Sequence, residues 1–315
     1  MRSGIVLAGD PASSRSHRLL HDMGLAHPAW AADLARLGPF AAPERPPHPA
    51  LTARPCLAGA PQIAPPVLAV LDTDSTMDEC WALLAAEGSA EPGDRLPDFT
   101  AVLAVRQRAG RGQLRRPWTS PAGNLHVSFL WPTTPPGPDP GWDRLLPLAA
   151  GWIVLRALEA VAGPEAGLAI KWPNDLVARD RKVGGMLLEE KGGRLVLGLG
   201  VNLVGAPDRA AMRRDAALEA GILALPADAP GPLGLWSMLV KFLQNEYVLL
   251  SQATPAALLS LISRRLLWLG KRVTYHDAGQ EAFDATIIGL SPDGGLMISC
   301  GGTVRTVYTG GILPA

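Results

Sequence analysis

Cysteine is scarce in this chain of 315 residues, with Cys56, Cys80 and Cys300 as its three examples. They are widely spaced and odd in number, a pattern that fits neither a disulfide framework nor a cysteine-based metal site. None of them lies in a motif typical of a nucleophilic thiol. We therefore expect free thiols in a reducing cytoplasm.

The chain has no excess charge of either sign, since Lys plus Arg and Asp plus Glu each number 29. A neutral balance excludes the overall positive field that drives non-specific binding to nucleic acids, although local basic clusters remain possible. The hydrophobic share of 48% is ample for a core, and the length allows two or three domains. Composition therefore predicts a globular protein.

Long apolar runs are also missing. Residues 4–9 form a short apolar patch that is too small for the core of a signal peptide. The most apolar stretch, residues 145–163, is interrupted by Pro147, Arg156 and Glu159. A membrane span needs about 18 or more consecutive apolar residues, so neither a span nor a membrane partner is expected.

Residues 1–66 are rich in alanine and proline and lack the pattern of a DNA-binding domain. Their second half excludes a long helix because prolines crowd it; they are Pro43, Pro46, Pro47, Pro49, Pro55, Pro61, Pro65 and Pro66. Residues 19–37 can supply one or two short helices, with Leu25, Trp30, Leu34 and Leu37 at roughly helical spacing. We find no helix pair followed by a hairpin and no basic recognition helix. We expect an appended small structure or a partly ordered arm.

A glycine-spaced cluster of arginines is the most informative feature. Residues 106–131 read RQRAGRGQLRRPWTSPAGNLHVSFLW, in which Gly110 and Gly112 flank Arg111, and Arg115 and Arg116 follow. Glycine lets a ligand approach the backbone closely, and arginine presents fixed planar donors that match phosphate or carboxylate. A surface turn with solvated charges is an equal alternative on these residues alone.

Three further motifs follow the arginine cluster in a fixed order. They are KWPND at 171–175, DRKVGGML at 180–187 and GLGVN at 198–202. Together with the loop they resemble the catalytic domain of biotin–protein ligases, also called biotin–[acetyl-CoA-carboxylase] ligases. The run VYTGGI at 307–312 resembles the SH3-like C-terminal domain of the same family, so the resemblance covers about residues 67–315.

Local patterns agree with that architecture. Strands are predicted at 67–71, 100–107 and 125–131, a hairpin at 186–202, and short strands at 271–275, 282–289, 295–300 and 303–308. Helices are predicted at 76–87, 148–162, 215–225, 233–250 and 255–267. Thr76 and Glu79 have the spacing of a capping pair, and Gly88 is a natural stop.

The resemblance implies an α+β fold, in which helices pack on a mixed sheet as in biotin and lipoate ligases and class II aminoacyl-tRNA synthetases. A small SH3-like β-barrel follows. We predict an N-terminal extension at 1–66, a catalytic domain at 67–268 and the SH3-like domain at 269–315.

The resemblance also implies roles for particular residues. The catalytic residues would be Lys171, Arg111 and Arg116, with Lys182 a weaker candidate for nearby charge. The biotin site would be formed by Ser75, Thr76, Gln107, Gly110, Gly112, Trp118, Lys171, Gly184, Gly185, Gly198 and Gly200. The nucleotide would contact Arg111, Arg115, Arg116, Trp118, Asn174 and Asn202. No metal ligands are assigned. The glycines of the hairpin would leave space on the strands for the ligand.

The chain departs from the family pattern at three positions. The family loop is commonly Gly-Arg-Gly-Arg, whereas this chain has Gln113 at the fourth position and an additional arginine at Arg115. Met77 stands where the family usually has asparagine after Ser-Thr. The number of charges in the loop is preserved, but one of them is displaced by two residues.

The implied activity is activation of biotin by ATP and transfer to a lysine of a biotin carboxyl carrier domain, with Mg²⁺ as the metal. A cytoplasmic location follows, DNA is not an expected partner, and a homodimer is compatible with the resemblance. Three alternatives stay open at this point: a lipoate or octanoate ligase of the same fold, a biotin-responsive transcriptional repressor, and an inactive binding module.

Overall fold

The computed structural model describes residues 3–9, 16–88, 95–134, 137, 139–208, 218–277 and 281–315, with the backbone alone for Ser16, His17 and Arg115. In chain order the strands and helices are β1 (Ile5–Ala8), α1 (Ser16–Ala26), α2 (Pro28–Leu37), β2 (Phe40–Ala41), β3 (Cys56–Gly59), β4 (Val67–Thr73), α3 (Thr76–Glu87), β5 (Ala101–Gln107), β6 (Leu125–Trp131), α4 (Trp142–Ala162), β7 (Leu168–Lys171), β8 (Asp175–Ala178), β9 (Arg181–Lys191), β10 (Arg194–Val201), α5 (Pro232–Leu250), α6 (Pro255–Ser263), β11 (Arg272–His276), β12 (Phe283–Leu290), β13 (Leu296–Cys300), β14 (Thr303–Val307) and β15 (Gly311–Pro314).

These elements form two compact units. Unit 1 consists of Met1–Thr133, Met186–Gly205 and Leu225–Lys241. Unit 2 consists of Thr134–Gly185, Ala206–Ala224 and Phe242–Ala315. Both units are discontinuous in sequence and do not follow the predicted boundaries at 66/67 and 268/269, which stay predictions.

Unit 1 is built on a mixed sheet with the strand order β2-β3-β1-β4-β5-β6-β10. Strands β1, β4 and β5 are parallel, whereas β5 pairs with β6, and β6 with β10, in antiparallel fashion. The predicted mixed sheet with packed helices is confirmed. Strand β6 directly follows the arginine loop, and β10 is the second strand of the predicted hairpin.

Strand β6 is buried along its whole length because the sheet is covered on both faces. On one face Phe129 packs against Trp236 of α5, with ring centroids 4.9 Å apart, and against Phe99 at 6.2 Å. On the other face Leu130 joins a core that contains Met77 and Cys80 of α3. Polar residues of β6 are therefore interior residues, and their partners carry information about function.

The N-terminal residues belong to this sheet, so the expectation of an appended arm is wrong for the described part of 1–66. Strand β1 pairs in parallel with β4 and in antiparallel with β3, and all four of its residues are buried. The prolines lie mostly between the elements, where they do not interrupt the hydrogen bonding of the strands. Helices α1 and α2 are confirmed, although Leu25 of the predicted apolar set is 73% exposed while Trp30 is fully buried.

Asp33 of α2 ties this segment to helix α5. Its carboxylate accepts hydrogen bonds from the backbone N–H of Gly231 at 3.1 Å and of Gly234 at 2.9 Å, at the start of that helix. Burial raises the pKa of Asp33, while the two backbone bonds and the nearby Arg36 act in the opposite direction. A carboxylate at a helix N-terminus is stabilising, so this contact fixes the start of α5 within unit 1.

Helix α3 has the predicted bounds, but its N-cap lies one residue before the predicted capping pair. The hydroxyl of Ser75 caps the helix by accepting from Met77 N at 3.3 Å. The predicted pair of Thr76 and Glu79 is wrong, because Glu79 binds Arg54 at 2.8 Å and accepts from Thr73 Oγ1 at 3.0 Å. Thr76 is thereby released for contacts elsewhere, and Gly88 ends the helix with a φ of +55° as expected.

In unit 2, helix α4 is apolar enough to need comment. Within the described part of the chain it is the one helix whose length and composition would allow a membrane span. Two interrupting residues are paired, since Glu159 binds Arg156 at 2.5 Å and also Arg265 at 2.7 Å. The helix packs on β7 and α6, and 67% of its apolar stretch is buried, as in a core helix.

The C-terminal residues form an antiparallel sheet of five strands in the order β14-β13-β12-β11-β15. The small C-terminal β-structure is confirmed, with Val273, Ile287, Ile298 and Ile312 as its buried centre, and β15 is a strand that the sequence did not predict. The helix expected at 215–225 is wrong for residues 218–225, which contain no helix, and its first residues lie outside the described part. Helices α5 and α6 are confirmed, although α6 ends at Ser263.

Candidate active site

The predicted site residues fall into two groups, one in each unit. Unit 1 contains Ser75, Thr76, Gln107, Gly110, Arg111, Gly112, Arg115, Arg116, Trp118, Gly198, Gly200 and Asn202, and unit 2 contains Lys171, Asn174, Lys182, Gly184 and Gly185. The residues of unit 1 lie around the start of α3, the end of β5, the arginine loop and strand β10. Those of unit 2 gather on the antiparallel strands β7, β8 and the first half of β9.

A hydrogen-bonded network joins the predicted biotin contacts of unit 1. Gln107, the last residue of β5, accepts at Oε1 from the backbone N of Thr76 at 2.9 Å and from its Oγ1 at 3.1 Å. The Oγ1 of Thr76 also lies 2.8 Å from Ser128 Oγ, which must be the donor because the single hydroxyl proton of Thr76 is already used. The amide nitrogen of Gln107 donates to Ser120 Oγ at 2.8 Å. Sequence reasoning missed both serines.

The arginine loop is a compact hairpin-like turn. Gly112 N donates to Arg116 O at 2.7 Å, and Trp118 N donates to Gly110 O at 2.8 Å. A side chain at Gly110 would place its Cβ 2.7 Å from Trp118 O and 2.9 Å from Ser120 Oγ. Glycine is required at 110 because the chain itself approaches there, an explanation that differs from the predicted approach of a ligand.

Arg111 is held by acidic side chains. Its Nη1 and Nη2 donate to the two carboxylate oxygens of Asp78 at 2.6 and 2.7 Å, and Glu189 lies 3.9 Å away. Hydrogen bonding to Arg111 lowers the pKa of Asp78, and the same contact raises the pKa of Arg111. The guanidinium therefore stays charged, and a phosphate would compete with Asp78 for its donors. Arg116 is exposed, and the side chain of Arg115 lies outside the described residues.

The glycines of β10 do not leave free space, contrary to the expectation. A Cβ at Gly200 would lie 2.5 Å from the indole ring of Trp118, and one at Gly198 would lie 3.1 Å from Met77 Cε. Trp118 thus covers the strand at Gly200. The glycines permit close packing of side chains against the strand, and Trp118 is the residue that any ligand on this face would have to contact or displace.

Asn124 organises the predicted nucleotide contact Asn202. Its side-chain oxygen accepts from the backbone N–H groups of Leu203 at 2.9 Å, Val204 at 2.9 Å and Gly205 at 3.2 Å, and its amide nitrogen lies 3.5 Å from Asn202 Oδ1. Both asparagines are buried. The signal that could have found Asn124 is an asparagine placed directly before the strand predicted at 125–131, where a polar side chain needs partners.

Lys171 ends strand β7 and is 8% exposed, as a lysine held at a strand end should be. Its ammonium lies 3.5 Å from Asp175 Oδ2, while Lys182 approaches the other oxygen of the same carboxylate at 2.6 Å. The strand register places Lys171 opposite Asp175, and Asp175 opposite Gly185. Asp175, the last residue of KWPND, is therefore the counterion shared by two lysines, a role the sequence did not predict.

A metal site is not built into the described residues. Among them, no group of three or more His, Cys, Asp or Glu side chains is arranged to hold an ion. The three cysteines are free thiols, as expected, with Cys56 and Cys80 buried.

Comparison with known proteins agrees with this geometry. Residues 89–204 match the model of the Biotin/lipoate A/B protein ligase family. A biotin–[acetyl-CoA-carboxylase] ligase of Paracoccus denitrificans is 40% identical over 145 residues, which cover 44% of this chain and 55% of the relative. A biotin–[acetyl-CoA-carboxylase] ligase of Mycobacterium tuberculosis is 29% identical over 217 residues, which cover 69% of this chain and 79% of the relative.

Structural similarity extends further along the chain. The biotin protein ligase from Aquifex aeolicus in complex with biotin and ATP matches with a TM-score of 0.59 and 24% identity, covering 78% of this chain and 97% of the other. The chain thus shares the fold of that protein. Over that part of its length the chain is similar to biotin and lipoate ligases. The match to the Paracoccus relative spans little more than half of that protein.

Proposed function

We propose that this chain activates biotin with ATP as biotinyl-5′-AMP and transfers the biotinyl group to a specific lysine of a biotin carboxyl carrier domain. The network in which Gln107 joins Thr76 to Ser120 carries this proposal, because it places a fixed set of amide and hydroxyl groups beside a loop of arginines. Such a set suits a neutral cyclic urea next to an anion. The ligase relatives add support.

Activation is needed because a carboxylate is a poor electrophile. A biotin carboxylate oxygen attacks the α-phosphorus of ATP, an O–P bond forms, and pyrophosphate leaves. The acceptor amine then attacks the acyl carbon, AMP leaves with the bonding electrons, and the amine loses a proton. No residue of the enzyme needs to form a covalent bond, in agreement with the absence of a nucleophilic motif at the cysteines.

Positive charge is the main catalytic requirement, because negative charge accumulates on phosphate oxygens during the first step. We assign this role to Arg111, Arg116 and Lys171, with Lys182 as additional nearby charge. Arg115, Asn174 and Asn202 contact the nucleotide. When Arg111 leaves Asp78 and binds phosphate, its guanidinium exchanges one anionic partner for another and is never left without a partner.

The remaining assignments concern biotin. Thr76 and Gln107 bind its ureido ring together with Ser75. The backbone at Gly110 and Gly112, the indole of Trp118 and the strands at Gly184, Gly185, Gly198 and Gly200 contact the ring system and acyl chain. Trp118 moves from its place over Gly200 when the ligand enters.

Mg²⁺ belongs to the proposal as the ion that ATP carries, and it would neutralise phosphate charge. The described side chains provide no carboxylate cluster for it. They do not fit a protein-held site, so no step is assigned to a metal held by this chain. Mg²⁺ often keeps several waters and binds mainly through substrate phosphates.

We further propose a cytoplasmic enzyme that does not regulate transcription. Two observations support this. The overall charge is neutral, and helix α1 packs on strands β1 and β4 of the sheet, so its packing face is already covered within the fold. A gel-shift assay with pooled genomic operator fragments tests this: a discrete biotin-dependent shift would make the chain a repressor as well.

Biotin-dependent exchange of labelled pyrophosphate into ATP tests the proposed activation step. Biotin and lipoate are assayed side by side with the full chain and MgATP. We expect exchange with biotin and at least tenfold less with lipoate. Exchange with lipoate alone would identify a lipoate ligase, and exchange with neither would leave a binding module.

Gln113 should weaken the retention of the adenylate relative to an arginine at this position. A hydrogen bond to a charged group contributes about 1.5–3 kcal/mol, and a tenfold change in affinity is about 1.4 kcal/mol. Gln113→Arg should therefore slow dissociation of biotinyl-AMP by about ten- to a hundredfold. Arg115→Gly in the native background should speed it, because Arg115 supplies the displaced charge.

Stopped-flow release of biotinyl-AMP and labelling of bystander lysines are the measurements, with Arg108→Gln as a matched control. Arg108 lies outside the motif and pairs with Asp74 at the surface. Unchanged release in both loop variants would show that position 113 does not contact the phosphate.

A further inference from the structure

His126 is a buried polar residue to which the proposed mechanism gives no role. It lies on β6, is 1% exposed, and its Nε2 is 3.1 Å from the carbonyl oxygen of Pro121. A carbonyl only accepts hydrogen bonds, so Nε2 carries the proton and Nδ1 presents a lone pair. Within the described part of the chain, Nδ1 has no hydrogen-bond partner.

His126 completes a ring of polar groups around the predicted biotin contacts. It lies on the same face of β6 as Ser128, whose hydroxyl binds Thr76. Its partner Pro121 directly follows Ser120, whose hydroxyl binds Gln107. Hydrogen bonds thus join Ser128 to Thr76, Thr76 to Gln107, and Gln107 to Ser120. The next residue, Pro121, binds His126, so the ring of contacts closes on β6. Nδ1 of His126 is the acceptor in this ring that receives no hydrogen bond from the described residues.

The opposite strand places His126 beside Trp118. His126 pairs with Gly200 in the β6–β10 register, and directly paired residues have their side chains on the same face of a sheet. Trp118 covers that face at Gly200. The imidazole therefore borders the position where the proposed ligand displaces the indole.

Burial also decides the charge of the imidazole. Desolvation lowers the pKa of His126 to about 4, despite the opposing effect of its bond to Pro121. The ring is neutral at physiological pH, so Nδ1 acts as an acceptor and not as a cationic donor. A buried acceptor without a partner is destabilising, and a bound donor would recover that cost.

We propose that His126 is a substrate-binding residue whose Nδ1 accepts a hydrogen bond from a ureido N–H of biotin. The inference rests on the proposed function. At neutral pH the carboxylate and thioether of biotin have no donors, so its two ureido N–H groups are the donors that an acceptor in this ring can recognise.

Two substitutions separate this role from a structural one. Glutamine places its amide near the position of Nε2 and can keep the bond to Pro121, whereas asparagine places its amide near Nδ1. His126→Gln should weaken biotin binding about tenfold, equivalent to ~1.4 kcal/mol. His126→Asn should recover most of that loss. Affinity for ATP should stay within twofold in both variants.

Calorimetry of the full chain with biotin measures these affinities, and thermal unfolding confirms that each variant is folded. Biotin affinity unchanged in His126→Gln overturns the inference. A loss of biotin affinity in His126→Asn alone, or an equal loss in both variants, also overturns it. Either result would mean that His126 acts through packing or through its hydrogen bond to Pro121. If the unsubstituted chain fails to bind biotin, the proposed function itself is wrong.

Nitrogen NMR of the unsubstituted chain, labelled at its six histidines, gives an answer that does not depend on folding of variants. We expect one Nδ1 resonance with lone-pair character to shift when biotin is added, while the Nε2 resonance of the same ring changes little. Biotin binding that leaves every histidine Nδ1 resonance in place overturns the inference.

Discussion

Lys171→Ala should reduce biotin-dependent adenylate formation by about 10²–10³, the usual loss when one fixed group that stabilises developing charge is removed. Biotin affinity should stay within a few-fold, because the ammonium acts where phosphate charge accumulates. An interaction made in the transition state alone lowers kcat and leaves ground-state binding in place. Pyrophosphate exchange measured beside calorimetric biotin affinity checks both parts.

The structure makes this substitution interpretable. Removing a lysine from a buried ion pair commonly leaves an uncompensated carboxylate, which destabilises the fold. Here Asp175 keeps Lys182 at 2.6 Å after Lys171 is removed, so the carboxylate retains a counterion. Lys171→Arg is the charge-preserving comparison, and Lys191→Ala is a surface control. Equal loss of exchange and of biotin affinity would show that Lys171 is structural.

Removal of residues 1–60 should leave no folded enzyme. The deletion takes away β1 and β3, which pair beside β4, and so exposes the backbone edge of a buried parallel strand. It also removes Asp33 from the start of α5. We expect insoluble protein or a non-cooperative unfolding curve. If the truncated chain is fully soluble and active, residues 1–66 are an appendage and not part of the core.

A milder version of this experiment uses point substitutions. Trp30→Ala should lower the free energy of unfolding by about 3–5 kcal/mol, since the side chain is fully buried. Leu25→Ala on the neighbouring helix is the matched control, and because Leu25 is exposed we expect a change within about 0.5 kcal/mol. Denaturant unfolding measures both. A similar small effect at both positions would contradict the packing of this segment.

Local patterns predicted the elements that carry their own signal. Strand β5 follows from a short apolar run, β6 from alternation, and the β9–β10 hairpin from a glycine turn at 192–193. Strand β1 was missed because its four residues are too few to show a pattern, and their burial depends on pairing with β4 about 60 residues later. The helix at 215–225 was wrong where it can be checked, since local propensity is weak where tertiary contacts decide.

In the site, too, local sequence predicted some features, whereas others depend on tertiary contacts. The identities of Thr76, Gln107 and Arg111 follow from the motif resemblance, but their partners are distant in sequence. Ser128 and His126 lie in the strand predicted at 125–131, and nothing local indicates that a second layer covers them. Asp78 could not be assigned to Arg111 from sequence, because 33 residues separate them.

Intact-mass analysis of an acceptor tests the central claim most directly. A purified biotin carboxyl carrier domain is incubated with the full chain and MgATP, in parallel with biotin and with lipoate, and the modified residue is located by peptide mapping. We predict the addition of one biotinyl group to one lysine, dependent on ATP. An acceptor that stays unmodified with biotin, or that gains a lipoyl group instead, would contradict the assignment of this chain as a biotin ligase.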